Sequence, residues 1–308
     1  MSRTLAQLCC DPDTPLHELP TSSDAQKRMQ AHLLKLGSSS TPHPLRWQPK
    51  PFEFSDLDLT DPRNTTLNRR FRIRAEKLQI IQDACRMRLQ GALSASQFQD
   101  TYLSPSLILA AVFGLCTHRA RQAAGLEVDG TANVIIAINL RKQLGLSASY
   151  MGNSLVTIEC PLDTKIVPAG TTIPGRLLSG LPLDDARSLC NFVLVALQEL
   201  QSYNKNHAAG MLATLGALTD RSSVGLASSG LWFSDTHKMD FYQDFGPLGE
   251  VQDFAIPGNE FAGLCWMLAT KSPGYDLQIA LERAAMGELE RDPLFQWVTD
   301  PGSSKSKL

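Results

Sequence analysis

The part of the chain that most constrains its fold is the stretch of residues 133–159, where two apolar runs flank a polar turn. The runs at residues 133–139 and 154–160 alternate apolar with polar positions, so each is predicted to be a strand. The turn between them carries Arg141, Lys142 and then Tyr150, Met151, Gly152 and Asn153. Gly152 and Asn153 tolerate left-handed backbone angles, so an ordinary strand-entry turn explains this sequence as well as a functional one does.

A second polar turn lies at residues 243–251, and the two turns together are more specific for a protein family than either turn alone. It contains Asp244, Phe245 and Gly246 within the sequence QDFGPLGEV. An arginine-bearing strand end, then Tyr-x-Gly-Asn, and much later Asp-Phe-Gly-x-x-Gly ahead of an apolar strand, is a combination that resembles the BAHD acyltransferases. Within that family the chain looks like the fungal relatives of trichothecene acetyltransferase. The resemblance extends over residues 71–298, which is most of the chain.

Length and composition limit the classes of protein and partner. The chain has 308 residues, enough for a full hydrophobic core, and its net charge of −2 gives no electrostatic reason to expect nucleic acid. No run approaches the roughly eighteen apolar residues of a transmembrane helix, so none is predicted. The seven cysteines show no Cys-x-x-Cys spacing, so no metal site is predicted, and this usage fits a reducing compartment. Cys85, Cys116 and Cys190 are predicted to be small buried residues of helices.

A targeting signal is predicted at the C-terminus of the sequence, and no secretory signal is predicted near its start. The apolar residues before position 33 are broken by acidic residues and prolines, so no secretory signal is predicted. Ser306, Lys307 and Leu308, after a tail rich in Gly and Ser, spell the address that the peroxisomal import receptor reads. The sequence therefore predicts peroxisomal localisation, with the import receptor as a partner.

The remaining patterns predict alternating helices and strands, and with the resemblance they imply an α/β fold with mixed sheets and flanking helices and an incomplete first domain. Apolar residues at helical spacing predict helices at residues 24–36, 75–89, 104–125, 184–200 and 282–297. Further strands are predicted at residues 69–74, 231–233, 265–270 and 277–281, the last two joined by a glycine turn. With the resemblance, the predicted organisation is a remnant of a first acyltransferase domain plus linker at 1–64, an acyltransferase-like domain at 65–300 and a flexible tail at 301–308.

The resemblance implies acyl transfer from acyl-CoA, which is a co-substrate, with no bound cofactor. In this family the histidine of a His-x-x-x-Asp motif is the general base that takes a proton from the acceptor. None of the six histidines here is followed by an aspartate four residues later, so no catalytic histidine is carried over. His118, near a predicted helix end, is explained by the helix dipole alone. The opening residues resemble the helix that follows the motif, so the chain is predicted to correspond to about the last two thirds of an acyltransferase.

Two structural turns carry over from the family. The resemblance implies that Asp244 and Arg141 form a buried ion pair at the mouth of the substrate channel. The rest of the two turns is formed by Phe245, Gly246, Tyr150, Gly152 and Asn153. The sequence departs from the family pattern at Asn139, Pro247 and Leu248, so the acceptor is left open.

The phosphates of coenzyme A need cationic and hydrogen-bonding neighbours. The candidate coenzyme A contacts are therefore two arginines and two serines, Arg72, Arg74, Ser228 and Ser229. For the two arginines, which lie in a predicted strand, a solvated basic face is the alternative explanation.

Three hypotheses follow. The first is an acyl-CoA-dependent O- or N-acyltransferase that acts on a small hydroxylated metabolite in fungal secondary metabolism. The second is a non-catalytic remnant that binds coenzyme A or a partner acyltransferase. The third is a condensation-type domain, which would depend on a carrier-protein thioester and would be inactive with free acyl-CoA.

Overall fold

The computed structural model describes residues 23–42, 66–92, 103–126, 132–147, 154–162, 180–219, 230–239, 241–258 and 261–300. The predicted turn at Tyr150 to Asn153, the serines at 228 and 229 and the C-terminal tripeptide lie outside these residues. So do most of the predicted linker and the predicted tail.

The described residues form seven α-helices, most of them where apolar periodicity predicted helices. They are α1 (Ser23–Ser38), α2 (Ala75–Ala92), α3 (Pro105–Ala123), α4 (Leu183–Ser202), α5 (Lys205–Ala217), α6 (Arg283–Leu289) and α7 (Pro293–Val298). No helix in the described ranges is long and apolar enough to cross a membrane.

Six strands form one mixed sheet in the described part of the chain. They are β1 (Thr66–Ile73), β2 (Ala132–Asn139), β3 (Leu155–Leu162), β4 (Leu231–Asp235), β5 (Leu264–Leu268) and β6 (Tyr275–Glu282), in the order β1-β6-β5-β4-β2-β3. β4 pairs in parallel with both β2 and β5, whereas the β1–β6, β5–β6 and β2–β3 pairs are antiparallel. The prediction of an α/β fold with a mixed sheet and flanking helices is confirmed.

Helices α3, α4 and α6 pack against the sheet, and the main core lies between these helices and the strands. α3 contacts β2 and β4, α4 contacts β3, and α6 contacts β1 and β6. Alternate strand residues face these helices, because side chains along a strand point to opposite faces. In the register of the sheet, Phe233 lies beside Cys265, which lies beside Ile279, and none of the three is more than 2% exposed.

Helix α3 is the central helix of this layer. Ser104 caps it by accepting a hydrogen bond from the Leu107 N–H at 3.2 Å, and Pro105 occupies the first turn, where its missing N–H has no cost. The cap and the proline confirm the predicted helix start. Gly114 lets α3 approach the sheet closely, since a Cβ at this position would lie 2.3 Å from Val134 Cγ2.

One helix prediction needs correction, and one helix was not predicted. The single terminal helix predicted at residues 282–297 is two short helices, α6 and α7, because Pro293 cannot continue a helix and Asp292 caps the second one. Asp292 Oδ1 accepts a hydrogen bond from the Phe295 N–H at 2.9 Å. The helix α5 was not predicted, since its alanines and glycines give it no clear apolar face. Its start is fixed by Asn204, whose side chain accepts from the His207 N–H.

The segment at residues 241–258 lies along the other face of the sheet. The Gln278 amide, on β6, accepts from the Ile256 N–H at 3.2 Å and donates to the Ile256 carbonyl at 2.6 Å. Tyr242 donates its hydroxyl to the Ala269 carbonyl, and Phe241 stacks on Phe254 with ring centroids 4.0 Å apart. These contacts hold the turn that contains Asp244 against the sheet.

Candidate functional site

The carboxyl ends of β2, β4 and β5 lie at one edge of the sheet, because these three strands run in parallel. Ligands of open α/β sheets bind outside the carboxyl ends of the strands. Because the β5–β6, β1–β6 and β2–β3 pairs are antiparallel, the beginnings of β6 and β3 and the end of β1 also lie at this edge. We call this region the carboxyl edge, and it contains several of the residues that the sequence singled out.

Arg141 follows β2 at the carboxyl edge. Its backbone N–H donates to Asn139 Oδ1 at 3.0 Å and its Nη1 donates to the same oxygen at 3.1 Å. Asn139, one of the departures from the family pattern, therefore orients the start of this turn. Arg141 is half-buried.

Asp244 stands in the second turn and is exposed, so the expectation of a buried carboxylate at this position is wrong. Its Oδ1 accepts from the Gly246 N–H at 3.0 Å, and Gly246 has a φ of +62°, which a glycine adopts at little cost. The aspartate shapes its own turn, as a structural motif does. The pairing of Asp244 with Arg141 stays a prediction.

Arg72 is engaged by a carboxylate and a carbonyl. Its Nη1 donates to Asp276 Oδ1 at 2.7 Å, and its Nη2 donates to the Pro273 carbonyl. Arg70 binds the other oxygen of Asp276 at 2.7 Å, and it also binds Asp253 at 3.0 Å. Burial disfavours the charged form of Arg70, but the hydrogen bonds to Asp253 and Asp276 outweigh it and raise its pKa. Because Asp276 already neutralises Arg72, this arginine is a weaker candidate for a phosphate than its position in the sequence suggested.

Arg74, the other candidate arginine, has a different environment. Its Nη2 donates to the Gln296 carbonyl at 2.6 Å, and no ion pair with a carboxylate is found for it among the described residues. The buried Nε of Arg74 has no hydrogen-bond partner in the described part of the chain. Its positive charge is therefore better placed than that of Arg72 to attract an anion.

Asp235 and His237 lie together at the carboxyl edge, a pairing that the sequence did not predict. Asp235 is the last residue of β4, and its Oδ1 contacts Nδ1 of His237 and accepts from the His237 N–H at 3.0 Å. The other oxygen of Asp235 accepts from the Ser106 hydroxyl, in the first turn of α3. The Asp-x-His spacing at a strand end was the available signal, but Ser106 is 129 residues away along the chain.

His118 lies near the end of α3. Burial, together with the positive charges of Arg121 and Arg119, lowers the pKa of His118 below its ordinary value of 6.5. Its Nδ1 is buried and has no hydrogen-bond partner in the residues described. A neutral imidazole among arginines fits the prediction that His118 needs no chemical role.

The cysteines of the described ranges are structural. Cys85, Cys116, Cys160, Cys190 and Cys265 are buried, which confirms the prediction for the three helical ones. Burial, with smaller effects of Glu199 and Glu159, raises the pKa of the Cys160 thiol to about 12. Burial also raises the pKa of Cys265. No group of three His, Cys, Asp or Glu side chains in the described part of the chain is arranged to hold a metal ion.

Comparison of sequences identifies fungal O-acetyltransferases as relatives of this chain. It is 23% identical over 259 residues to a fumigaclavine B O-acetyltransferase of Aspergillus fumigatus, covering 74% of this chain and 52% of that protein. It is 26% identical over 233 residues to a second O-acetyltransferase of the same fungus, covering 72% and 45%. The chain thus spans about half the length of the curated relatives that it matches. No protein-family model matches the sequence.

Comparison of structures identifies the fold. TRI101 of F. graminearum, solved with coenzyme A and deoxynivalenol, superposes with a TM-score of 0.67 at 19% identity and covers 97% of this chain and 62% of its own. TRI101 of F. sporotrichioides, solved with coenzyme A and T-2, gives a TM-score of 0.65 at 21% identity, with the same coverage. TRI101 is a trichothecene 3-O-acetyltransferase with a BAHD-type fold. The chain has this fold, as the resemblance implied.

Proposed function

We propose that this chain, which has the BAHD-type acyltransferase fold, is an acyl-CoA-dependent O-acyltransferase that acts on a small hydroxylated metabolite. The observation that carries the proposal is the similarity to two fungal O-acetyltransferases along about three quarters of the chain. The likeness to TRI101 with coenzyme A supports acyl-CoA as co-substrate. Since the named relatives are acetyltransferases, acetyl-CoA is the first donor to test, and fungal secondary metabolism is the proposed setting.

The reaction joins the acyl group to the acceptor and frees the thiol. The acceptor oxygen attacks the carbonyl carbon of the thioester and gives up its proton to a base, and a tetrahedral oxyanion forms. The oxyanion then collapses, the C–S bond breaks, and coenzyme A leaves as its thiol after it regains a proton. Catalysis of this step requires a base beside the acceptor and donors for the oxyanion. The carboxyl edge is the described region where polar side chains and strand ends meet.

Arg74 is the proposed anion contact of the donor, with Ser228 and Ser229 as further candidates from the sequence. The proposal for Arg74 is supported by its cationic side chain, which forms no carboxylate ion pair in the described residues. We expect Arg74→Gln to raise the KM for acetyl-CoA, because a guanidinium binds phosphate through charge-assisted hydrogen bonds. Arg72→Gln, which removes a guanidinium already paired with Asp276, should change this KM less.

The experiment follows free thiol release from acetyl-CoA and longer acyl-CoAs with a panel of hydroxylated terpenoid and alkaloid acceptors. Release that depends on an acceptor supports the proposal. Absence of acceptor-dependent release with every pair, from protein that is folded by circular dichroism, overturns it. Isothermal calorimetry with coenzyme A then tests the non-catalytic binding hypothesis.

We further propose delivery to peroxisomes through Ser306, Lys307 and Leu308. Support for this comes from the sequence alone. A fluorescent protein that carries residues 301–308 at its C-terminus should accumulate in peroxisomes of a fungal cell, and the same fusion without Leu308 should stay dispersed. A dispersed signal from both fusions would contradict the proposal.

A further inference from the structure

We propose that Cys85 and Cys190 form a redox site, at which a peroxide converts the two thiols into a disulfide that links α2 to α4. The inference goes beyond the proposed acyl transfer and does not depend on it, because it concerns the helical layer and is measured without turnover. It is carried by the contact between the two sulfur atoms, by their place on helices that pack together and by a positive charge beside them.

The two sulfur atoms are in direct contact. Cys85 Sγ lies 3.2 Å from Cys190 Sγ. A disulfide has a sulfur–sulfur bond of about 2.05 Å, so the two atoms need to approach each other by about 1.2 Å. In the described part of the chain this is the only contact between cysteine sulfurs. Packing explains a single buried cysteine, whereas two thiols in contact can also join covalently when they are oxidised.

The sequence places the two cysteines on helix faces that meet. Cys85 lies about one turn after Ile81 and one turn before Leu89, and the three form a buried face of α2. Cys190 lies one turn after Ala186 on a buried face of α4. Because α2 and α4 pack against each other, the helix packing holds together two thiols that are 105 positions apart in the sequence.

Arg88 brings a positive charge close to the pair. It follows Cys85 by three positions on α2 and is only 8% exposed. The contact with Cys190 and burial raise the pKa of the Cys85 thiol, and the charge of Arg88 acts in the opposite direction. Since the thiolate is the form that reacts with a peroxide, Arg88 favours Cys85 as the first to react. The raised pKa keeps the thiol form dominant near neutral pH, so oxidation should become faster as the pH rises.

The proposed oxidation balances with hydrogen peroxide as the oxidant. The sulfur of Cys85 attacks one peroxide oxygen, the O–O bond breaks, and the other oxygen leaves as water after it gains a proton. The sulfur of Cys190 then attacks the resulting sulfenic acid, the S–O bond breaks, and a second water leaves. The two thiols lose two electrons and two protons in total, and one peroxide is reduced to two waters.

The disulfide should stabilise the folded chain and should be reversible. It joins positions 105 apart, so it restricts the unfolded chain, while the helices that it links are already packed together. A dithiol reductant returns the pair to thiols by exchange. In a reducing compartment the pair therefore stays reduced until a peroxide is present.

The test uses the full chain with Cys9→Ser and Cys10→Ser, so that only the buried cysteines remain. The reduced, folded protein is treated with hydrogen peroxide, the remaining thiols are blocked with N-ethylmaleimide in denaturant, and its peptides are analysed by mass spectrometry. We expect a linked pair of peptides that contain Cys85 and Cys190, and two fewer blocked thiols than in the untreated protein. Dithiothreitol added before the blocking step should reverse both changes.

Thermal melting and matched variants separate the pair from the other thiols. The Tm of the oxidised protein should rise by about 5 °C or more and should return with dithiothreitol. Cys85→Ala should lose both the link and the rise in Tm. Cys265→Ala, which removes another fully buried thiol, should keep both. If Cys85→Ala does not fold, the peptide analysis of the parent protein still decides the matter.

Three results would overturn the proposal. One is peroxide-treated, folded protein in which Cys85 and Cys190 remain free thiols or carry sulfinic or sulfonic acids without a link. Another is a link that forms only after denaturation. The third is a link that leaves the Tm unchanged or lowers it, because the bond then does not fit the native helix packing. All three can be observed whether or not the chain transfers acyl groups, so failure here is distinct from failure of the proposed function.

Discussion

Arg121 and Glu282 form a two-point ion pair that ties the end of α3 to the end of β6. Arg121 Nε donates to Glu282 Oε2 at 3.1 Å, and Nη2 donates to Oε1 at 2.9 Å. The two side chains are only 9% and 17% exposed. Gly263, with a φ of +92°, makes room for the guanidinium, since a Cβ there would lie 2.9 Å from Nη2. The ion pair thus fixes the end of α3 to the sheet.

Removal of one partner of this pair should destabilise the chain strongly. Arg121→Gln leaves the largely buried carboxylate of Glu282 without its cation, so we expect a loss of up to about 3–5 kcal/mol in the free energy of unfolding. Arg187→Gln, at the exposed pair with Asp184, is the matched control and should cost less than about 1 kcal/mol. Urea denaturation checks both, and equal losses for the two variants would contradict the account.

A methyl group added where α3 meets the sheet should also be costly. A Cβ at Gly114 would lie 2.3 Å from Val134 Cγ2 and 3.0 Å from Leu162 Cδ1, so Gly114→Ala should destabilise by about 1–3 kcal/mol. Gly216, in α5, has open space around it, and Gly216→Ala should be neutral or stabilise by up to about 1 kcal/mol. Thermal melting of the two variants, monitored by circular dichroism, tests this difference. A stable Gly114→Ala variant would mean that the helix is not packed this closely.

His118 should make the stability depend on pH. Because the folded state lowers its pKa below 6.5, the unfolded chain binds the proton more tightly. The stability that its neutral form contributes is present above pH 6.5 and is lost as the pH falls from there towards the folded-state pKa. Urea denaturation of His118→Gln between about pH 7 and pH 5 should show a weaker loss of stability than the wild type. Parallel pH profiles of the two proteins would contradict this prediction.

The buried cysteines should resist thiol reagents while the chain is folded. In a variant with Cys9→Ser and Cys10→Ser, the remaining five cysteines are all buried. Since the thiolate is the reactive form, the high pKa of Cys160, about 12, adds to its protection. We expect Ellman's reagent at about pH 8 to modify these thiols only after denaturant is added. Rapid modification of the folded variant would show that the helical layer opens readily.

Much of the layer structure could be predicted from the sequence because it depends on local patterns. The alternation in residues 133–139 and the N-cap and proline at the start of α3 each specify an element without reference to the rest of the chain. By contrast, the break between α6 and α7 depends on Pro293, which lies within a continuous apolar pattern. The apolar residues of helix α5 do not form a distinct face, so its stability depends more on packing against α1 than on its own sequence pattern.

The candidate site was less predictable, because it joins residues that are distant along the chain. The family pattern indicated the turns of Arg141 and Asp244, but it did not indicate that Asp244 is exposed. Arg72 was predicted to contact phosphate, but the sheet register places Asp276 beside it. The cluster of Ser106, Asp235 and His237 depends on how α3 lies under β4, and this packing leaves no periodic signal in the sequence.

The most direct test of the central claim is transfer of a labelled acetyl group. Acetyl-CoA with two ¹³C atoms in the acetyl group is incubated with the chain and a hydroxylated acceptor, and the products are analysed by mass spectrometry. The account predicts an acceptor ester that carries the intact labelled acetyl group, formed in step with free coenzyme A. Labelled acetate without labelled ester, or no loss of acetyl-CoA with any acceptor, would contradict it.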